Sequence, residues 1–289
     1  MRVLVLGADG MLGHQVMRTL NERGLIILGT VRKRASDDYY EIFNINLYNV
    51  VFNIDITNTD SLITVIEEFK PDFVINCIGY VKQTTYHDLA RMIHLNALFP
   101  HILSDICKKF KSKLLHISTD CVYNGLRGDY LESDAPDALD TYGKSKALGE
   151  VSGPHVLTIR TSIIGHEIFN KYSLLEWFLR QEKTVTGYKR AIFSGFTTNE
   201  MSIIIYRILH FGFKSDSVYH ISSVPISKFD LLEIVNRIYQ RNLTIVGNYD
   251  FTCDRSLKST RFKLDYDYTP PTWTSMVQQM YLEWRLENE

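Results

Sequence analysis

The sequence predicts an α/β chain: a doubly wound parallel sheet followed by a smaller C-terminal α+β lobe. Three observations point there. Short β-branched apolar runs alternate with longer amphipathic stretches through the first half, as in repeated βα units around a sheet buried on both faces. A glycine-rich turn follows the first of these runs directly. After Arg160 the alternation degrades into scattered pieces with no Pro/Ser-rich linker. The expected division is therefore a sheet domain over residues 1–165 and, over 166–289, a lobe interleaved with the sheet. A chain of 289 residues accommodates both at about 150 residues per domain.

The first strand is expected at residues 2–6, where Arg2 precedes Val3-Leu4-Val5-Leu6, and an amphipathic helix at 11–23. The pattern then repeats. Strands are expected at 25–31, 51–54, 73–77, 114–118 and 156–160, and helices at 60–69, 87–110 and 142–151, where apolar residues recur at three- and four-residue spacing. Strands joined by helical crossovers in this way form a sheet of the Rossmann type. Helices at 174–180, 199–211, 228–239 and 274–286, with strand pieces at 217–221 and 243–246, make up the lobe. The cleft between the two parts is the expected ligand site.

Composition narrows the partners. Lys plus Arg is 32 and Asp plus Glu is 33, a formal net charge of −1, so nothing global favours nucleic acid or an anionic membrane. Hydrophobic residues at 45% and charged residues at 22% exclude a disordered or fibrous chain. Cys77, Cys107, Cys121 and Cys253 form no Cys-x-x-Cys pair, and His94, His101 and His116 show no metal spacing, so neither a disulfide framework nor a metal site is expected. Residues 1–7 are too short an apolar run for a signal segment or a spanning helix, and a cytoplasmic location is expected. A homodimer is a reasonable expectation for such a chain.

The turn Gly7-Ala8-Asp9-Gly10-Met11-Leu12-Gly13 sits between strand and helix, the context of a dinucleotide fingerprint, with G-x-x-G-x-x-G spacing rather than G-x-G-x-x-G. Gly7 permits the tight turn, Gly10 lets main chain approach a pyrophosphate, and Gly13 lets the helix pack closely. Free N–H groups at the helix start attract the anion. Asp9, Met11 and Leu12 complete this segment. The second strand ends in Gly29-Thr30-Val31-Arg32-Lys33-Arg34, without the carboxylate that would accept a ribose 2′-hydroxyl. Arg32 and Lys33 suit a 2′-phosphate instead, which favours NADPH over NADH, the alternative being a solvated basic loop. Asp55, with Ile56 beside it, is a candidate for the adenine amine, and Cys77-Ile78-Gly79 for passage beneath the dinucleotide.

Tyr142 and Lys146 lie four residues apart, on one face of a helix. Hydride transfer to a ketone leaves an alkoxide that needs a proton, and a nearby ammonium is expected to bring the phenol toward working range. Lys146 can also reach ribose hydroxyls. Ser118 and Thr119 end the fifth strand at the ligand edge, where one hydroxyl is expected to bond the substrate carbonyl and the other reading is an ordinary turn.

Together, Gly7 to Gly13, Ser118-Thr119-Asp120-Cys121-Val122-Tyr123-Asn124-Gly125, Glu132 to Pro136, Tyr142-Gly143-Lys144-Ser145-Lys146 with Gly149-Glu150, and Arg160-Thr161-Ser162 resemble the extended short-chain dehydrogenase/reductases. Within them they most resemble the dTDP-4-dehydrorhamnose reductase group, over residues 1 to about 165. The resemblance implies an NADP(H)-dependent enzyme acting on a nucleotide-linked 4-keto sugar. It implies that Thr119 polarises the keto oxygen, Tyr142 donates the proton, Lys146 supports tyrosine and ribose, and Thr161 contributes to the cofactor site. Related dehydratases carry Asp-Glu after the threonine; Asp120-Cys121 makes elimination of water unexpected. Cys121 departs from the rhamnose reductases, which usually carry tyrosine there, and matches the GDP-fucose synthases, which epimerise before reducing. Cys121 is thus either an acid/base assisted by His166 or His87, or a small buried residue filling space.

Tyr80, Lys82 and Asn124 follow strand ends on the ligand edge and are candidates for sugar or phosphate contact. Lys189-Arg190 and residues 193–199 read as a loop into a helix start, with Thr198 or Asn199 as cap; Arg190 and neighbouring aromatics could hold a diphosphate and stack a base, or form a plain capped turn. Asn96 is expected to be a buried hydrogen-bonding residue that fixes its helix. The expected function is NADPH-dependent reduction of the C4 keto group of a nucleotide-activated 4-keto-6-deoxy sugar, for surface polysaccharide or glycan precursors. The alternatives are an epimerase/reductase using Cys121, and a non-catalytic NADP-binding regulatory subunit resembling the β subunit of methionine adenosyltransferase.

Overall fold

The structure, a computed structural model, describes residues 1–32, 49–80, 88–169 and 171–288. In its first half, β1 (Arg2–Leu6), α1 (Gly13–Glu22), β2 (Ile26–Thr30), β3 (Val50–Val51), α2 (Asp60–Phe69) and β4 (Phe73–Asn76) are followed by α3 (Leu89–Ile93), a π-helical turn (His94–Leu98) and α4 (Phe99–Phe110). Next come β5 (Lys113–Thr119), a 3₁₀ turn (Asp120–Val122), α5 (Thr141–Leu148) and β6 (Val156–Thr161). The second half holds β7 (Ile163–Ile164), α6 (Leu174–Leu179), β8 (Thr184–Phe193), β9 (Phe196–Thr197), α7 (Thr198–Phe211), β10 (Tyr219–His220), β11 (Ile226–Ser227), α8 (Lys228–Ile238), β12 (Thr244–Asp254), α9 (Thr260–Asp265) and α10 (Trp273–Asn288).

Seven strands form one sheet in the order β10-β6-β5-β4-β1-β2-β3, all pairs parallel. Strand order reverses between β1 and β4, so ligand space opens at their carboxyl ends. The two-residue period of β1 sorts its side chains into two layers. Val3 and Val5 join Val16, Met17 and Leu20 of α1 and Ile204 and Ile208 of α7. Leu4 and Leu6 join Leu62 and Ile66 of α2 and Phe99 and Leu103 of α4. Each such side chain contributes about 1.5–3 kcal/mol when fully buried. The lobe enters this sheet through β10, where Tyr219 pairs with Ile159 and His220 with Arg160. It also covers one face, with Thr19 of α1 bonded to Ser202 of α7 at 2.6 Å.

Three expectations are corrected. The helix expected at 87–110 starts at Leu89 under an Asp88 cap, which accepts from Arg91 N at 2.9 Å, and a π turn interrupts it around Asn96. Lys189 and Arg190 belong not to a loop but to β8, a ten-residue strand paired in parallel with β12 and antiparallel with β11. Their charges break the apolar pattern of the strand, yet Lys189 lies 3.8 Å from the centre of the Phe229 ring and Arg190 5.7 Å from that of Tyr249. The α7 cap is Thr197, whose hydroxyl accepts from Glu200 N at 3.4 Å, rather than Thr198 or Asn199. Among the described residues no helix is long and apolar enough to cross a membrane.

Candidate active site

Main-chain contacts build the site. A Cβ on Gly13 would sit 2.0 Å from Gly7 O, so only glycine lets α1 meet the turn that closely. Gly7 has φ +75°, and α1 begins at Gly13 with no side-chain cap, the His14 N–H being taken by Gly10 O at 3.1 Å. At the other end of the site, Asp140 caps α5 by accepting from Gly143 N at 2.8 Å. A Cβ on Gly143 would lie 2.2 Å from Cys121 O, and one on Gly149 1.8 Å from Asn96 O. Helix α5 is thus docked at its start on the 3₁₀ turn and at its end on the π turn, and it carries Tyr142 and Lys146 between them.

Asn96 is fully buried and ties three elements together. Its Oδ1 accepts from Tyr80 N at 2.8 Å, and its Nδ2 donates to Tyr80 O at 3.0 Å and Ser145 Oγ at 3.2 Å. A π turn that re-aims one side chain in this way is a common device at functional sites. Lys146 Nζ donates to Ile117 O at 2.8 Å, close to Gly79. Thr119 Oγ1 accepts from Cys121 N at 3.1 Å and donates to Asp120 Oδ1 at 3.2 Å. Beneath the turn, Glu150 accepts from Ser118 Oγ and from Arg160 Nε and Nη2, all at 2.7 Å, in a buried network that fixes the end of β5.

Burial pushes the Tyr142 phenol above its ordinary range, with Cys121 adding to the rise and the Thr119 hydroxyl opposing it. Lys146 donates its hydrogen bond to Ile117 O, and burial brings Lys146 itself down to about 8, against the opposing pull of Glu150 and Cys77. At neutral pH the tyrosine holds its proton and the lysine its charge, the pairing a proton donor requires.

The RmlD substrate binding domain family matches residues 1–189. The chain belongs to this family. A probable low-salt glycan biosynthesis reductase of Haloferax volcanii is 31% identical over 170 residues, 57% of this chain and 54% of that protein. A dTDP-4-dehydrorhamnose reductase of Aggregatibacter actinomycetemcomitans is 28% identical over 192 residues, 64% of this chain and 59% of that one. The methionine adenosyltransferase 2 subunit beta of Danio rerio is 32% identical over 152 residues, 52% and 42% of the two chains. The matched segments thus span about half the length of these relatives. A solved dTDP-4-dehydrorhamnose reductase of Bacillus anthracis, in complex with NADP, shares the fold with TM-score 0.78 at 21% identity, covering 98% of this chain and 99% of that one.

In this RmlD-family chain, Gly7, Asp9, Gly10, Met11, Leu12 and Gly13 form one turn, and Cys77, Ile78 and Gly79 lead out of β4 beside Lys146. Arg32 is exposed beyond β2, near enough to act on Asp55. Asp55 is held below the usual carboxylate range, chiefly by Thr57 N, and its Oδ2 lies 3.8 Å from Arg91. Lys33, Lys82 and His87 lie outside the described residues.

Other candidates are committed elsewhere. The Ile56 side chain lies in the core layer that holds Leu62, Val65 and Ile66 of α2. Thr161 is buried, with its hydroxyl 3.4 Å from Ser162 O and 3.9 Å from Met201 Sδ. The Asn124 amide is taken up by Asp137, Leu126 N and the Tyr130 hydroxyl. His166 bonds Glu176 and Tyr239, both at 2.8 Å, and so does not assist Cys121. Burial, with Asp120 adding, pushes the Cys121 thiol up to about 12, out of reach of acid/base work near neutrality. Sequence reasoning missed Arg255, whose Nη1 lies 3.8 Å from Cys121 Sγ. It lies in the lobe, beyond the last motif.

Proposed function

We propose that this chain reduces the C4 keto group of a nucleotide-activated 4-keto-6-deoxy sugar with NADPH, supplying precursors of surface polysaccharide or another glycan. The observation that carries this is the convergence of Thr119, Tyr142 and Lys146 beside the strand end that leads through Gly79. The residues present suit a dinucleotide phosphate. The glycine turn opens α1 without a side-chain cap, and Arg32, in a strand end without a carboxylate, favours a 2′-phosphate. Gly7 to Gly13 would hold the pyrophosphate and Lys146 the ribose. When bound, the reduced nicotinamide supplies the hydride.

Thr119 then orients the keto oxygen, and Tyr142, with its phenol still protonated, donates to the alkoxide as charge develops. Lys146 steadies the charge left on the phenol. Cys121, raised to about 12, supports reduction without epimerisation, in which case no solvent deuterium enters the sugar ring. Four free cysteines support a reducing, cytoplasmic setting. Exposed Leu89, Ile93 and Leu148 on α3 and α5 support a homodimer, which sedimentation measures.

The test is NADPH oxidation with dTDP-, UDP- and GDP-linked 4-keto-6-deoxy sugars, run beside Tyr142→Phe. Turnover on one nucleotide that disappears in the variant is expected. The similarity to methionine adenosyltransferase 2 subunit beta favours a second reading, a regulatory subunit. Silence across the panel with intact NADPH binding, and co-purification of a larger catalytic partner, would establish it instead.

A further inference from the structure

We propose that Glu283, on helix α10, is a positioning residue for the glycine turn, holding the start of α1 in the geometry that receives a dinucleotide. The proposal rests on the NADPH reading above. One oxygen of Glu283, Oε2, accepts from two other helices: from Gln15 Nε2 of α1 at 2.9 Å, from Arg18 Nη1 of α1 at 3.3 Å, and from Asn199 Nδ2 of α7. Gln15 and Asn199 are both buried. A buried amide without an acceptor is costly, and a carboxylate 268 residues along the chain from Gln15 satisfies both of these at once.

The start of α1 needs a hold from outside. Gly13 offers no side chain, and the His14 side chain turns back on the glycine turn, where Nδ1 lies 2.9 Å from Gly10 O. A carbonyl can only accept, so Nδ1 carries the proton and His14 braces the turn itself. Gln15, the next residue, carries the bond to Glu283, and His14 and Glu283 line one small cavity. Further along, Val16, Met17 and Leu20 are packed in the core and Thr19 is bonded to Ser202, so that part of α1 is fixed with or without α10.

The other end of the link is the lobe. Trp284, next in sequence to Glu283, stacks on His166 with ring centres 5.4 Å apart, and His166 is bonded to Glu176 of α6 and to Tyr239 just after α8. Met276, Val277 and Met280 of α10 are buried in the core layer that also holds Leu232 and Val235 of α8. Helix α10 is thus seated on the lobe by its apolar residues and reaches α1 by one carboxylate. A turn already held in its binding geometry loses less freedom when the ligand arrives, which raises affinity without any contact to the ligand.

The test is calorimetric binding of NADPH to Glu283→Ala, Glu283→Gln and Met276→Ala, beside hydrogen exchange of each protein without cofactor. Glu283→Ala is expected to raise the Kd for NADPH by roughly tenfold, the worth of one hydrogen bond to a charged group, and to speed amide exchange over residues 14–18. Glu283→Gln keeps a carbonyl oxygen for Gln15 and Asn199 and should recover most of the affinity. Met276→Ala removes buried apolar surface from the same helix, so it should lower the melting temperature while leaving NADPH affinity and exchange over 14–18 as in the wild type. Should Glu283→Ala fail to fold, Gln15→Ala, which removes one donor at a position that alanine suits, is expected to show the same two changes at smaller size.

Unchanged NADPH affinity or unchanged exchange over 14–18 in Glu283→Ala overturns the proposal. So does a loss of affinity in Met276→Ala equal to that in Glu283→Ala, which would make α10 a general support. Wild type that binds no NADPH sinks the cofactor reading and the proposal together. Wild type that binds NADPH but turns over no keto sugar sinks the reductase reading alone, because binding and exchange still decide Glu283.

Discussion

The parallel sheet and the small β11-β8-β12 sheet bring different kinds of group to the same place. In the first half the site is made by main chain brought into close approach: Gly13 against Gly7, Gly143 against Cys121, Gly149 against Asn96. Tyr142 and Lys146 then need only helical spacing to point correctly. The lobe instead supplies long cationic side chains, Arg255 and Lys228, at the ends of its elements. Close main-chain packing leaves these elements little room to shift, whereas a side chain extended from a neighbouring layer keeps its rotamer freedom. The comparison predicts that substitutions in the first half act on kcat and those in the lobe on KM.

Several changes would break or sharpen that comparison. Tyr142→Phe is expected to lower kcat by about 10²–10⁴ while NADPH still binds; near-normal turnover in stopped assays would remove the sheet half's claim to the chemistry. Glu150→Ala leaves Arg160 buried without its partner, and urea unfolding should show a loss of about 3–5 kcal/mol. Gly13→Ala forces a contact now 2.0 Å from Gly7 O and should cost about 1–3 kcal/mol while abolishing NADPH binding, both visible by thermal melting with and without cofactor.

Changes of pH should act on the two halves separately. In the proposed mechanism Lys146 acts as a cation, so kcat/KM for the forward reaction is expected to fall above about pH 8, the value to which burial brings that group. Burial also holds His14 of the sheet half and His220 of the lobe at about 4, below the ordinary 6.5. The unfolded chain takes up protons through that window that the folded one refuses, so melting temperature should drop as pH falls from 6.5 toward 4. The smallest effect is expected for Cys121→Ser, with kcat within about twofold of wild type. A large loss there, or solvent deuterium in the product ring, would return the thiol to the chemistry.

Much of the sheet half was legible because its rules are local. The alternation of residues 1–160, the glycine turn and the Tyr142–Lys146 spacing each report a constraint between residues a few positions apart. Asn96 was readable as a buried hydrogen bonder, but the π turn that aims it at both Tyr80 and Ser145 was not, since a one-residue bulge leaves the apolar period nearly intact. The β8 strand was obscured for the opposite reason. Lys189 and Arg190 read as loop until aromatic rings from α8 and β12 lie under their stems.

The sequence by itself determined the sheet, the glycine turn and the placing of Tyr142 and Lys146 one turn apart on a helix, because steric and helical periodicities are written in neighbouring residues. Only the tertiary structure decided the rest: that desolvation and Asp120 raise the Cys121 thiol while His166 is bonded elsewhere, that Asn124 is spent on Asp137, and that Arg255 reaches Tyr123 from 132 residues away. Those outcomes depend on desolvation and on which long-range partner claims each polar atom, and both arise only when distant segments pack together.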